Sequence, residues 1–260
     1  MLPVAFEDAT KAIQAFLLSG KTYVCVVQLH DDVAEQTIRD TFAEFSGEIF
    51  QRPPLRASVK RIVRRRMIYA LEILEIEGRS VLFRVDCQAG TYIRKICSDI
   101  GEAIGRGAHM SELRRTRAGP FDEDRNLCSM YDLLEAYDDW KSGRDEEGLR
   151  KIVRPVEEAF KFIPKIYIRD SAVDAICHGA DLAIPGVVKL DEGIMNKTPL
   201  VLMSLKGEAV ALAKALMPTE QIVEQNHGIA AKTVRVIMPE GTYPRLWKEA
   251  HDRRDAMSSV

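Results

Sequence analysis

No stretch of the chain approaches the roughly eighteen consecutive apolar residues of a membrane-spanning helix. The N-terminus lacks a basic region leading into an apolar core and a cleavage site, so a secretory leader is not expected and the cytoplasm is the expected location. Cysteine is sparse. Cys25, Cys87, Cys97, Cys128 and Cys177 form no CxxC pair and are odd in number, which fits reduced, mostly buried thiols better than disulfides or zinc. The five histidines are scattered singly, so no metal site is expected. There is no phosphate loop, metal cluster or nucleophile triad of the kind a metabolic enzyme would carry, nothing suggests an organic cofactor, and no repeat or low-complexity tract interrupts the chain.

What is present is a 260-residue chain, 46% hydrophobic and 29% charged, the balance of a folded protein of one large or two smaller domains. Its net charge of −2 does not by itself suggest nucleic acid, but the charge is unevenly spread. From Arg52 to Arg66 the run RPPLRASVKRIVRRR holds seven basic residues and no acidic one, whereas Asp138 to Glu147 is acid-rich. Such a strip can neutralise several phosphates and release their counterions, or it can be a solvated loop; charge alone leaves both readings open.

Apolar periodicity sets out an α+β chain. Ala9, Ala12, Ile13, Phe16 and Leu17 share a helical face over Phe6 to Ser19, with Gly20 as the stop. Alternation at Tyr23, Cys25, Val27 and Leu29 predicts a half-buried strand over Lys21 to His30. Asp32 can cap a helix reaching Phe45. Pro53 and Pro54 then forbid helix and central strand. Met67 to Ile76 and Ser80 to Cys87 read as a hairpin turning at Glu77-Gly78-Arg79. A helix capped by Thr91 or Gly90 follows over Tyr92 to Ile104, then a short strand around Met110 to Arg115 closed by Gly119-Pro120. Ser129 begins another helix, and Tyr137 to Arg150 reads as a charged connection. Beyond Pro164 short strands (Lys165 to Arg169, Leu200 to Leu205, Glu208 to Lys214, Lys232 to Met238) alternate with Gly/Pro turns, the pattern of a small β-barrel.

Within Gly90-Thr91-Tyr92-Ile93-Arg94 an arginine occupies the first turn of a helix, the end at which the macrodipole favours acids. Either a carboxylate or phosphate offsets it, or it points into water.

The strings LPVAFEDATKAIQ, GKTYVC, QRPPLRASVKR, CQAGTYIRKICSDIG and AHMSELRRTRAGPF, in this order, resemble the TruB/dyskerin family of pseudouridine synthases, nearest to its archaeal H/ACA members. The segment from about Pro164 to Pro239, with GADLAIPGV and LVLMSLKGEAVALAKAL, resembles the PUA domain that follows the catalytic domain there. The resemblance implies a mixed β-sheet with flanking helices over residues 1–160, lacking its N-terminal part, a PUA β-barrel over 161–245 and a charged tail over 246–260. Family members attack a uridine with an aspartate carried in a Gly-Thr-Leu-Asp-Pro string, detach the base, rotate it and rejoin it through C5. By resemblance Tyr23 packs on the flipped base and assists proton removal at C5, Arg94 pairs with the aspartate, and Leu113 lines the pocket. Arg52, Arg56, Lys60 and Arg61 correspond to the substrate-clamping loop and phosphate contacts, and Gly179, Ala180, Lys206 and Arg235 to the RNA-facing side of the PUA domain.

No Gly-Thr-Leu-Asp-Pro string occurs in the 260 residues. In the family it sits a few residues before the counterpart of Leu2-Pro3-Val4-Ala5, with a valine where Met1 stands. A GTG codon read as the start of a longer gene, a split gene and a degenerate paralogue would each account for this. Without the carboxylate, a buried Arg94 would be an uncompensated charge and no isomerase activity is expected. The implied partners are guide RNA with rRNA, or the T-loop of tRNA, and three small H/ACA proteins, with no membrane; the alternative is a non-catalytic RNA-binding scaffold.

Overall fold

A computed structural model describes residues 1–17, 19–54 and 59–245, so Arg56 and the charged tail lie outside the described residues. The chain divides into two compact units, Met1–Pro3 with Leu17–Glu135, and Val4–Phe16 with the residues from Ala136 onward. Among the described residues no helix is long and apolar enough to cross a membrane.

The N-terminal segment is a 3-10 turn over Glu7–Ala12 followed by the short helix α1 (Ile13–Leu17), not the single helix that its periodicity predicts. Glu7 has a positive φ of 46°, and the Thr10 hydroxyl bonds the Glu7 carbonyl at 2.6 Å; both hold the backbone in a turn. Ala12 is buried, but Ile13 and Leu17 are exposed, so the expected apolar face does not persist.

The first unit is built on a sheet of β1 (Lys21–Leu29), β2 (Gly47–Gln51), β3 (Arg64–Glu77), β4 (Ser80–Cys87), β5 (Ala108–Ala118) and β6 (Phe121–Asp122), in the order β2-β3-β4-β1-β5-β6. Every pairing in it is antiparallel. The hairpin is as expected: β3 and β4 turn at Gly78, whose φ of +55° suits a residue without a Cβ. Two helices, α2 (Glu35–Glu44) and α3 (Ile93–Ile104), cover one face of this sheet. Helix α2 begins after Asp32, because that carboxylate is taken by Arg79, at 2.7 and 3.1 Å, instead of capping. Cys25, Val27 and Leu29 of β1, Val81, Phe83, Val85 and Cys87 of β4, and Ile93, Ile96, Cys97 and Ile100 of α3 share one core with Ile38 and Phe42 of α2. Phe42 and Phe83 meet edge to face, with centroids 5.3 Å apart.

The expected cap on α3 is also corrected. Tyr92 occupies the N-cap position, and the Thr91 hydroxyl turns back to the Gln88 carbonyl. Strand β5 is longer than its apolar pattern suggests, since its middle carries charged residues on the exposed side. After β6 come α4 (Glu123–Asn126), α5 (Met130–Lys141) and α6 (Glu147–Ile152), so much of the stretch read as a charged connection is helical. Ser129 and Asp132 explain the start of α5: each side chain accepts from the other's backbone N–H, a reciprocal cap.

The second unit holds β7 (Lys165–Ile168), α7 (Asp170–Cys177), β8 (Leu182–Ala183), β9 (Val187–Leu190), β10 (Pro199–Met203), β11 (Ala209–Ala215), α8 (Thr219–Glu224) and β12 (Ile229–Val236). Its barrel-like sheet runs β8-β12-β11-β10-β7-β9, with β7 and β10 parallel. Strands β7, β10, β11 and β12 follow the sequence reading, whereas β8 and β9 lie in the Gly/Pro-punctuated stretch that it left without strands. Helix α7 packs Val173, Ile176 and Cys177 into the apolar interior of the sheet.

Among the glycines of the first unit, Gly101 makes the closest backbone approach, between α3 and the start of β5. A Cβ on Gly101 would lie 2.1 Å from the Ala108 nitrogen and 2.5 Å from the Gly107 carbonyl carbon, both backbone atoms that cannot step aside. Gly101→Ala should therefore destabilise the unit by about 3 kcal/mol or more, read as a lower urea midpoint at unchanged slope.

Candidate active site

The β1–β5 pairing places Tyr23 opposite Arg115 and Cys25 opposite Leu113 with no register shift between them. Alternation then puts Tyr23, Cys25, Leu113 and Arg115 on one face of the sheet, the face that α3 covers. Helix α3 is fixed over that face at two points. The Cys97 and Cys25 sulfurs are 3.6 Å apart, and Gly101 lies against Ala108, the partner of Leu29. The helix therefore runs alongside β1 in the same direction. Arg94 is three residues before Cys97, about 4.5 Å along the axis. Tyr23 is two residues before Cys25, about 6.6 Å along the strand. Arg94 thus emerges at the level of Tyr23. Its side chain is exposed and makes no hydrogen bond or ion pair with any described residue, so the expected cost of a buried, unpaired guanidinium is not incurred.

Tyr23 is half-buried against the core. Its phenol is held above the ordinary tyrosine range, first by burial and then by the nearby Cys87, while the Arg115 guanidinium pulls the other way. Burial pushes the Cys87 thiol up to about 11. Lys21, donating to the Leu17 and Ser19 carbonyls at 3.0 and 2.7 Å, is held below its usual range by burial and by Arg115. Arg115 also holds the chain's first residue: the Met1 amino group donates to the Arg115 carbonyl at 2.8 Å, and Arg115 Nε donates to the Met1 carbonyl at 3.1 Å. Leu113 is 43% exposed; the hollow of about 350 Å³ beside it is lined mainly by Val24, Val26, Leu82, Glu112 and Arg114, which alternation puts on the opposite face of the sheet.

The basic connection between β2 and β3 is rooted where Gln51 pairs with Arg64. Arg52, Lys60 and Arg61 are exposed along it. Gln51, only 2% exposed, reaches across to the start of α3, where its Oε1 accepts from the Tyr92 N–H at 3.0 Å and its Nε2 donates to the Tyr92 carbonyl at 3.2 Å.

Three family profiles cover the chain: "TruB family pseudouridylate synthase (N terminal domain)" over residues 1–93, "tRNA pseudouridylate synthase B C-terminal domain" over 94–161 and "PUA domain" over 164–237. The chain is 53% identical over 249 residues to the probable tRNA pseudouridine synthase B of Thermococcus kodakarensis, covering 96% of this chain and 74% of that one. The chain belongs to the TruB family of pseudouridine synthases. Its counterpart in Methanosarcina barkeri is 52% identical over 95% of this chain and 73% of its own length. Among solved structures, a Cbf5-Nop10-Gar1 complex superposes with a TM-score of 0.90 at 52% identity, over 94% of this chain and 74% of that one. An H/ACA RNP bound to a substrate RNA containing 2'-deoxyuridine superposes at 0.86 and 49% identity, over 94% and 74%.

In this TruB-family chain the first unit thus brings Tyr23 and Leu113 together on one sheet face, with Arg94 at their level. Sequence reasoning missed Arg115 and Gln51. Arg115 was legible in principle, since strand alternation pairs it with Leu113, but its neighbours Arg114 and Arg117 hid it in a basic run. Gln51 gave no signal before folding showed it buried.

In the second unit Gly179 has a φ of +87° and closes α7, with its N–H on the Ile176 carbonyl and the Ala180 N–H on the Ala175 carbonyl. This is a helix-ending motif that requires glycine for structural reasons. The Ala180 carbonyl accepts from the Thr233 hydroxyl, two residues before the exposed Arg235 on β12. Lys206 lies on the β10–β11 turn with its ammonium 5.2 Å from the centroid of the Tyr243 ring.

Because the folded Tyr23 phenol ionises above the unfolded one, the stability linked to it is complete below the ordinary tyrosine range and is lost as pH rises through the folded value. Arg115→Met removes the influence that lowers it. Spectrophotometric titration, with Tyr23→Phe identifying the signal, should show the Tyr23 transition moving to still higher pH; a downward move would contradict the lowering influence of Arg115.

Proposed function

We propose that this chain acts in RNA pseudouridine synthesis, on uridines in guide-selected rRNA, on the tRNA T-loop, or on both, with the small proteins of an H/ACA particle and in the cytoplasm. The tRNA assignment has support from the names of the curated relatives, and the guide-dependent one from the Cbf5-Nop10-Gar1 and H/ACA structures that superpose on it.

The observation that carries the reading is the arrangement on the α3 face. Tyr23 presents a phenol kept protonated by burial, Leu113 gives an apolar neighbour, and Arg94 stands at the same level with its guanidinium uncommitted. A base that leaves its stack would lie on the Tyr23 ring, and the stacking helps to offset the few kcal/mol that flipping costs. Arg94 would hold an attacking carboxylate ionised and oriented through a two-pronged bond. Once the base has rotated and rejoined through C5, Tyr23 is placed to assist loss of the C5 proton. Residues joined ahead of Met1 would enter beside Arg115, and so beside Tyr23, which is where an aspartate string must arrive to meet Arg94.

The 260 residues contain no such string, so alone they should release no tritium from RNA labelled at uridine C5. Fused at Met1 to a segment carrying Gly-Thr-Leu-Asp-Pro, they should do so, and Arg94→Met in that fusion should abolish it. Release by the unextended chain would overturn the carboxylate assignment. Binding of RNA without turnover by the fusion would favour the scaffold reading, which the unpaired state of Arg94 also allows.

The exposed Arg52, Lys60 and Arg61, together with Arg56, are proposed to contact phosphates. Replacing any one by glutamine should weaken RNA binding and reduce the slope of log affinity against log salt by about 0.7–0.9, leaving base choice unchanged. On the second unit, Gly179, Ala180, Lys206 and Arg235 are proposed to face the RNA stem.

A further inference from the structure

Gln51 is a buried polar side chain whose two hydrogen bonds go to the backbone of a single residue, 41 residues away. That residue, Tyr92, is the N-cap of α3, where no side chain of the helix's own segment supplies a cap. At the same time Gln51 is the last residue of β2. Its backbone pairs with Arg64, the first residue of β3. The basic connection leaves the sheet at one member of this pair and returns at the other. Arg52 directly follows Gln51, and the returning limb is tied to Arg64, whose guanidinium donates to the Lys60 carbonyl at 3.4 Å while the Ile62 N–H bonds the same oxygen at 3.0 Å. Both described limbs that carry exposed cations therefore converge on the residue that grips the start of α3, and Arg94 lies two residues beyond that grip.

We infer that Gln51 is a positioning residue that couples RNA held by the basic connection to the placement of Arg94. The inference rests on the RNA reading given above and assigns a route through one side chain. A cap serving only stability would brace α3 equally with and without RNA. A coupling residue makes the brace respond to what the connection holds. RNA that pins Arg52, Lys60 and Arg61 restricts the Gln51–Arg64 root, and the restriction passes through the amide to Tyr92 and the first turn. Carboxamide chemistry suits this role, because one flat group must accept from an N–H and donate to a C=O at once.

The test is backbone hydrogen exchange on the 260-residue chain, with and without a synthetic tRNA T-arm hairpin, for the native protein, Gln51→Leu and Gln51→Glu. Without RNA, Gln51→Leu should speed exchange of the Tyr92 amide by about fivefold, the effect of one lost hydrogen bond. Gln51→Glu, which keeps the acceptor for that N–H, should not. The hairpin should slow exchange from Tyr92 to Ile96 in the native chain. In Gln51→Leu this slowing should vanish, although hairpin affinity changes by less than about threefold and the salt slope is unaltered, because the phosphate contacts remain. Gln51→Glu, with one bond of the two, should retain part of it and covers the case in which the leucine variant does not fold. The coupling is overturned if the native chain binds the hairpin with no change at the start of α3, or if the slowing survives unchanged in Gln51→Leu and Gln51→Glu. A native chain that does not bind the hairpin at all overturns the RNA reading itself, and the coupling with it.

Discussion

The near-contact of α3 with the beginning of β5 is the constraint on which the first unit depends. Gly101 lets the helix backbone press against the Gly107–Ala108 peptide, and the Gly101 carbonyl accepts from the Gly107 and Arg106 amides at 2.9 and 3.2 Å. With that end pinned and Cys97 seated on Cys25, the helix cannot slide along the sheet. Its first turn must then fall at the level of Tyr23. A rigid helix over a sheet is the kind of support that can hold reacting groups within a fraction of an ångström, which residues on a loop do not achieve unaided.

The opposite end of α3 is governed differently. No side chain of its own segment caps it, and the task passes to Gln51 from the sheet edge. Helix and basic connection are thereby joined through a single amide. The apolar core decides where the helix lies, and this one polar contact decides how it begins. Such a division is economical in residues, because the core tolerates conservative changes in volume whereas the polar contact has few substitutes.

Much of this was legible before folding. Tyr23, Cys25, Val27 and Leu29 alternate cleanly, so β1 and its buried face could be read off directly. Ile93, Ile96, Cys97 and Ile100 gave α3, and Glu77-Gly78-Arg79 gave the hairpin. The failures have local physical causes. Asp32 is a good cap by type, but Arg79 is a stronger partner for its carboxylate than a backbone amide. The N-terminal pattern resembled a helix, yet a left-handed residue at Glu7 and a hydroxyl at Thr10 shorten its first turns. Residues 137–150 looked like a linker because charge outnumbers apolar residues there, yet the helix expected to begin at Ser129, where the reciprocal cap with Asp132 sits, continues past Tyr137 to Lys141. Positions that act through tertiary contact, Gln51 and Arg115, have no signature in composition or period.

The order of strands has a consequence for how the chain is made. β1 lies between β4 and β5, so Cys25 finds its neighbours at Phe83 and Leu113, far downstream. On a ribosome β1 would emerge long before either neighbour, an apolar ribbon with both edges unsatisfied while the β3–β4 hairpin forms quickly by itself. Closing such long loops is slow, and an unpaired strand is the piece that nascent chains aggregate through. Translation speed across residues 30 to 118, and access to a holding chaperone during that interval, should therefore govern the yield of folded protein more than the final stability does.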